Sequence, residues 1–262
     1  MKKISKIYMS LLLMFLYVPI FVLIVFSFNT TKSRTVFEGF TFDWYIRLFQ
    51  NELILNSLWN TILISISAAT ISTILGTAAA IGINKMRKLP KAVVMNINNF
   101  PIINPEIVTG VSLMLLFVFF AARMNFNFGF GTLLIAHITF DVPYVILNVM
   151  PKFRQMNPNL YEAAQDLGCN PFSAFFKVVL PEIMPGIVSG FLMSFTFSLD
   201  DFIISYFTSG ATSQTLPITI YSMTRRKVSP EINALSTIIF LVVVIVLIVK
   251  NFLETRSKEE RV

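Results

Sequence analysis

The sequence predicts an all-α membrane protein with six transmembrane helices in a single domain over residues 1–262. Three observations lead there. The chain is 55% hydrophobic and only 13% charged, with a mean hydropathy of +0.72, about half the roughly 25% charged residues of a soluble domain. Six apolar runs of 18 to 26 residues recur along it, near the ~20 residues that cross the hydrocarbon core as a helix. Lysine and arginine are spread unevenly between the connecting segments. The lone Cys169 excludes an internal disulfide and any paired-cysteine metal site. The lone His137 lies in an apolar run and reads as an interhelical hydrogen-bonding residue.

Lys2, Lys3 and Lys6 precede the first span, 7–28. That run is longer than the ~7–15 apolar residues of a signal peptide and ends at Asn29 without a small-residue cleavage site, so it reads as an uncleaved helix. Residues 30–57 are polar but interleaved with Phe37, Phe40, Phe42, Trp44, Tyr45 and Phe49, with Asp43 placed to cap a short interfacial helix. The second span, 58–83, is rich in Ser, Thr, Ala and Gly, which let helices approach closely in lipid. A basic segment, 84–98, leads to the third span, 100–122, entered through Pro101, Pro105 and Glu106. The fourth span, 132–149, carries His137 and Asp141 one turn apart and Pro143 at a kink. The fifth span is 186–206 and the sixth is 232–249; the charged tail from Lys250 is expected to fray. The N-terminus, 84–98, 150–185 and the tail hold 14 Lys and Arg, against 7 on the other side. The positive-inside rule puts both termini and the 150–185 segment in the cytoplasm. It also accounts for the net charge of +7 without nucleic acid.

The segment 150–185 is patterned as two short helices. Asn157-Pro158 or Asn159 is placed to cap the first, with Glu162 three residues beyond Asn159. Leu160, Ala163, Ala164 and Leu167 share one face. Gly168 supplies a left-handed stop. Asn170-Pro171 opens the second helix, Phe172, Phe175, Phe176 and Val179 line it, and Pro181 ends it. An apolar helical face with a few charges suits a groove on a soluble partner. Glu162-Ala163-Ala164, Gly168, Val178 and Leu180-Pro181 resemble the EAA loop of ABC-importer permeases, with Val178 in place of the usual Ile. The resemblance implies a type I (MetI-like) permease fold. It also implies coupling helices, 157–167 and 171–180, seated in an ATP-hydrolysing subunit, with Glu162, Ala163, Ala164, Asp166, Gly168, Phe172, Phe175, Leu180 and Pro181 as the coupling residues.

No G-x-x-x-x-G-K-[ST] loop, G-x-S-x-G elbow or H-E-x-x-H helix occurs. The chain is therefore read as a non-catalytic subunit, with ATP and magnesium held by a partner. Carboxylates within spans are costly and usually functional. Glu106 reads as a helix cap and Asp141 as a structural partner of His137 or a transport residue. Asp200 and Asp201 read as neighbours about 100° apart on one helix, roughly 20–25 Å above Pro185, on a helix made polar by Ser194, Thr196 and Ser198. With Phe197 and Tyr206 nearby, this suits an ammonium-bearing substrate through charge and cation–π contact, giving Asp200, Asp201, Phe197, Tyr206 and Asp141 as the candidate pathway.

Ser198-Leu199-Asp200-Asp201-Phe202, the 216–223 stretch and the 228–235 stretch resemble the spermidine/putrescine permeases of ABC importers. That resemblance implies alternating access driven by an ATP-binding subunit dimer, with a second homologous permease and an external polyamine-binding protein docked on 30–57 and 205–231. The surroundings are cytoplasmic-membrane lipid. Two alternatives stay open at this point: an ABC permease for another small cationic or organic solute, and a stand-alone cation channel or secondary transporter.

Overall fold

A computed structural model describes residues 2–33, 36–157, 159–226 and 229–259. Pro158 of the expected Asn157-Pro158 helix start, the charges Arg34, Lys227 and Arg261, and Val228 of the 228–235 stretch lie outside the described residues. The elements in order are α1 (Lys2–Phe26), α2 (Asp43–Gln50), α3 (Glu52–Lys85), α4 (Lys88–Ile103), α5 (Glu106–Met124), α6 (Phe130–Gln155), α7 (Leu160–Asp166) and α8 (Pro171–Ala174). A π-helical turn (Phe175–Val179) follows, then α9 (Leu180–Asp200), α10 (Ile203–Thr208), α11 (Leu216–Arg226) and α12 (Pro230–Glu259). Among the described residues five helical stretches are long and apolar enough to cross a membrane: Ser5–Phe26, Glu52–Lys85, Glu106–Met124, Phe130–Gln155 and Pro171–Asp200. The sixth expected span falls on α12, whose described apolar part is Pro230–Val242. Its helix continues to Glu259 where the sequence suggests fraying.

Contacts group the chain into two units. The first comprises Met1–Leu55 and Ile220–Val262, in which α12 packs on α1 and α2. Asn29 organises its polar loop. Its amide nitrogen donates to the Val36 carbonyl at 2.8 Å, its amide oxygen accepts from the Glu38 N–H at 3.0 Å, and its carbonyl accepts from Trp44 Nε1 at 2.6 Å. Trp44 and Leu48 are buried, so α2 turns these two side chains into its own unit. Asp43 is the first helical residue rather than a side-chain cap; its N–H donates to Thr41 Oγ1.

The second unit, Asn56–Thr219, is built on the antiparallel pairing of α6 with α9. Glycine lets the two backbones meet. A β-carbon on Gly186 would lie 2.8 Å from the Asn148 carbonyl oxygen, and one on Gly190 3.2 Å from Val145 Cα. Ala80, Ile83, Val145, Ile146, Val149, Met150, Phe153, Val179 and Ile183 form its larger buried core.

Three expectations need correction. Residues 88–103 form a helix, and Asn98 donates to the Pro143 carbonyl at 3.4 Å, in the middle of α6. The basic segment thus runs up beside α6, Pro101 lies inside α4, and the third span starts at Glu106. Pro181 does not end a helix. Leu180 N–H reaches back five residues to the Phe175 carbonyl, and this widened turn leads straight into α9, so that Pro181, which has no N–H to donate, sits inside a continuous helix. The fifth span does not run through to Tyr206: it breaks at Asp201 and Phe202.

Candidate functional site

Two places carry the candidate residues. The first is the elbow between α7 and α8. Gly168 has φ +86, its N–H donates to the Gln165 carbonyl at 2.9 Å, and the Cys169 N–H donates to the Ala164 carbonyl at 3.1 Å. This pair of bonds closes a helix C-terminus and needs a left-handed residue between them. Asn170 Oδ1 accepts from the Ser173 N–H at 2.7 Å with Pro171 at the first helical position, so α8 opens as its sequence predicts. The start of α7 differs: Asn159 is already helical and makes no side-chain cap, and Asn157 Oδ1 accepts from the Asn159 N–H instead.

The elbow's residues divide by face. Ala164 and Ala174 are buried, and Phe175 and Leu180 are half-buried. Glu162, Ala163, Asp166, Gly168, Phe172 and Pro181 are exposed, as is Leu167 at 87%. Of Leu160, Ala163, Ala164 and Leu167, only Ala164 is buried, and Ala163 and Leu167 remain exposed on this two-turn surface helix. The Phe172 and Phe176 rings stand 4.6 Å apart and border a cleft of about 820 Å³ whose floor includes Ile81, Phe153 and Val179.

The second place is the break after α9. Asp201 has extended backbone, and its carboxylate accepts from the Ile204 N–H (3.2 Å) and the Ser205 N–H (2.7 Å), capping α10. Its Oδ2 is 3.6 Å from His137 Nε2, and its side chain is 5% exposed. Asp200, the last residue of α9, is exposed. The two carboxylates therefore do not share one continuous helix, as the sequence suggests. Asp141 is fully buried and does not bond His137 directly: Ser198 Oγ lies between them, 2.8 Å from Asp141 Oδ2 and 3.0 Å from His137 Nδ1. His137 lies seven residues into α6 and eighteen from its end, about 10 Å and 27 Å along the axis, so the break is nearer the end of α6 at Phe130.

Aromatic rings gather beside this break. Tyr144 and Phe197 centroids are 4.6 Å apart, and Phe140 is 5.2 Å from Tyr144. Tyr206, exposed, packs at 5.5 Å from Phe202. Glu106 lies within electrostatic reach of both Asp200 and Asp201, and also of Tyr144. It is thus part of this group rather than an isolated cap near the cytoplasmic edge. The signal that could have placed it was the length of α4, which carries the chain far enough along α6 to start α5 at this level.

Residues 72–256 match the family described as binding-protein-dependent transport system inner membrane component. The chain is 37% identical over 256 residues to the putrescine transport system permease protein PotI of Escherichia coli strain K12, covering 95% of this chain and 89% of that one. It is 36% identical over 250 residues to the spermidine/putrescine transport system permease protein PotC of Haemophilus influenzae, covering 95% of both. In three dimensions it aligns with a chain of a bacterial ABC transporter involved in the import of the acidic polysaccharide alginate, at a TM-score of 0.71 and 16% identity, covering 97% of this chain and 95% of that one. That likeness concerns the fold alone. Long apolar helices, the EAA-like elbow and full-length similarity to two transport-system permeases together place this chain in the family of binding-protein-dependent transport system inner membrane components.

Proposed function

We propose that this chain is a permease subunit that carries polyamines such as spermidine or putrescine inward across the cytoplasmic membrane, with both termini on the cytoplasmic side. It works with a second permease, a pair of ATP-binding subunits that hold ATP and magnesium, and an external polyamine-binding protein. The observation that carries the substrate class is the grouping at the α9 break: an exposed Asp200 with Glu106 in electrostatic reach and the Tyr144–Phe197 pair beside it. Carboxylates and ring faces in one place are what a chain of ammonium groups requires. The permeases PotI and PotC, similar along nearly the whole chain, support the same class. Asp141 is enclosed in this conformation, so it contributes through Ser198 and not by direct contact here.

Energy enters at the elbow. The exposed Glu162, Ala163, Asp166, Leu167 and Phe172 form the surface offered to the ATP-binding subunit, shaped by Gly168. Movement of that surface passes into α9 through the π turn and alters the pathway at its far end, which is alternating access. The test is uptake of radiolabelled spermidine and putrescine in cells lacking this chain, with and without its restoration. Restored, ATP-dependent uptake is the expected result. No uptake, with the assembled complex detected in the membrane, would retire the polyamine assignment and leave the permease one.

A further inference from the structure

His137 cannot touch a substrate in this conformation, since its side chain is 1% exposed, yet both ring nitrogens are engaged. Nδ1 lies 3.0 Å from Ser198 Oγ and Nε2 lies 3.0 Å from Ser205 Oγ. Ser198 belongs to the last turn of α9 and Ser205 to the first turn of α10, so one ring from α6 spans the break. The Ser198 hydroxyl donates to Asp141 Oδ2. A hydroxyl has one proton, so the Ser198 oxygen accepts from Nδ1–H, while Nε2 faces the Ser205 hydroxyl. Asp201 closes the arrangement from the other side, 3.6 Å from Nε2 while it caps α10.

The one local signal for a break is Asp201, whose carboxylate caps α10. Leu199-Asp200-Asp201-Phe202 contains neither Gly nor Pro, and an uninterrupted helix would satisfy its backbone within itself, as an apolar medium demands. Beyond that local cap, His137 makes contact on both sides of the interruption. We infer that His137 is a positioning residue for transport: it fixes the terminus of α9 so that Asp200 presents its carboxylate to the pathway. This rests on the pathway reading of Asp200 given above.

The experiment is a double-mutant cycle in the assembled complex, with initial uptake rates of labelled spermidine corrected for the amount of complex in the membrane. His137→Ala and Asp200→Asn are each expected to lower the rate at least about fivefold, the scale of a lost buried hydrogen bond or charge. The double variant is expected to stay within about twofold of the slower single variant, because the ring acts through Asp200. His137→Gln, whose amide both donates and accepts, should recover part of the loss. Should His137→Ala fail to assemble, Ser198→Ala and Ser205→Ala take its place in the cycle, since each removes one hydroxyl from the ring and leaves the ring in place. Multiplying losses in the double variant, or normal transport by both serine variants, would overturn the positioning role. Normal transport by Asp200→Asn would instead remove the pathway reading on which it rests.

Discussion

A carboxylate that accepts two backbone N–H groups, as Asp201 does from Ile204 and Ser205, acts on the helix that follows it. Asparagine caps a helix about as well as aspartate, while alanine loses roughly 1 kcal/mol. Asp201→Ala is therefore expected to lower the thermal midpoint of the purified complex, with Asp201→Asn close to the parent. Asp200 lies one residue earlier and is exposed, so Asp200→Asn should leave that midpoint within about 0.5 kcal/mol of the parent while uptake falls. A midpoint lowered equally by Asp200→Asn and Asp201→Ala would contradict this division of labour. Gly186 offers a second contrast. A side chain there meets the Asn148 carbonyl and the Val149 Cα, which are backbone and cannot swing aside. Gly186→Val should cost about 1–3 kcal/mol by overpacking, read as a loss of folded complex in detergent. Gly82→Ala, with open space around it, serves as the control and should be neutral.

At the scale of elements, the elbow was the most legible part of the chain, because its signals are local. Gly168 with a positive φ, Asn170-Pro171 opening α8 and the spacing of Glu162, Ala163 and Ala164 need nothing beyond their neighbours. The helix break, the reach of α4 and the continuation past Pro181 were not legible, for three separate reasons. The break at Asp201 is flanked by contacts to His137, which lies more than sixty residues away in sequence. Lys85 to Lys91 look like a loop because their charges hide the partly buried Val94 and Met95, which pack on the core. Pro181 reads as a stop unless the preceding turn widens, and nothing in Phe175–Val179 announces that. Mutations at the elbow follow from the local geometry. Gly168→Asn, which tolerates left-handed backbone, should transport better than Gly168→Val, for which that conformation costs more than the roughly 1–2 kcal/mol of an ordinary residue. The ratio of substrate moved to ATP hydrolysed in proteoliposomes is the measurement; equal ratios for the two variants would separate Gly168 from coupling.

For the whole molecule, the single cysteine gives a test of topology that needs no mutation. Cys169 sits in the elbow and is partly accessible, so the proposed orientation places it on the cytoplasmic side. A membrane-impermeant maleimide should label it in inverted vesicles and not in intact cells, and bound ATP-binding subunits should slow the reaction. Labelling in intact cells would reverse the topology.

The widened turn at Phe175–Val179 has a mechanical corollary. Because Pro171 to Asp200 form 30 residues of unbroken helix, they make a rod of about 45 Å. A tilt of about 5° about one end displaces the other by roughly 4 Å on that length. The same rod holds Phe172 near one tip and Asp200 at the other. In the proposed mechanism, a push at the first and a shift at the second are then one movement of a lever.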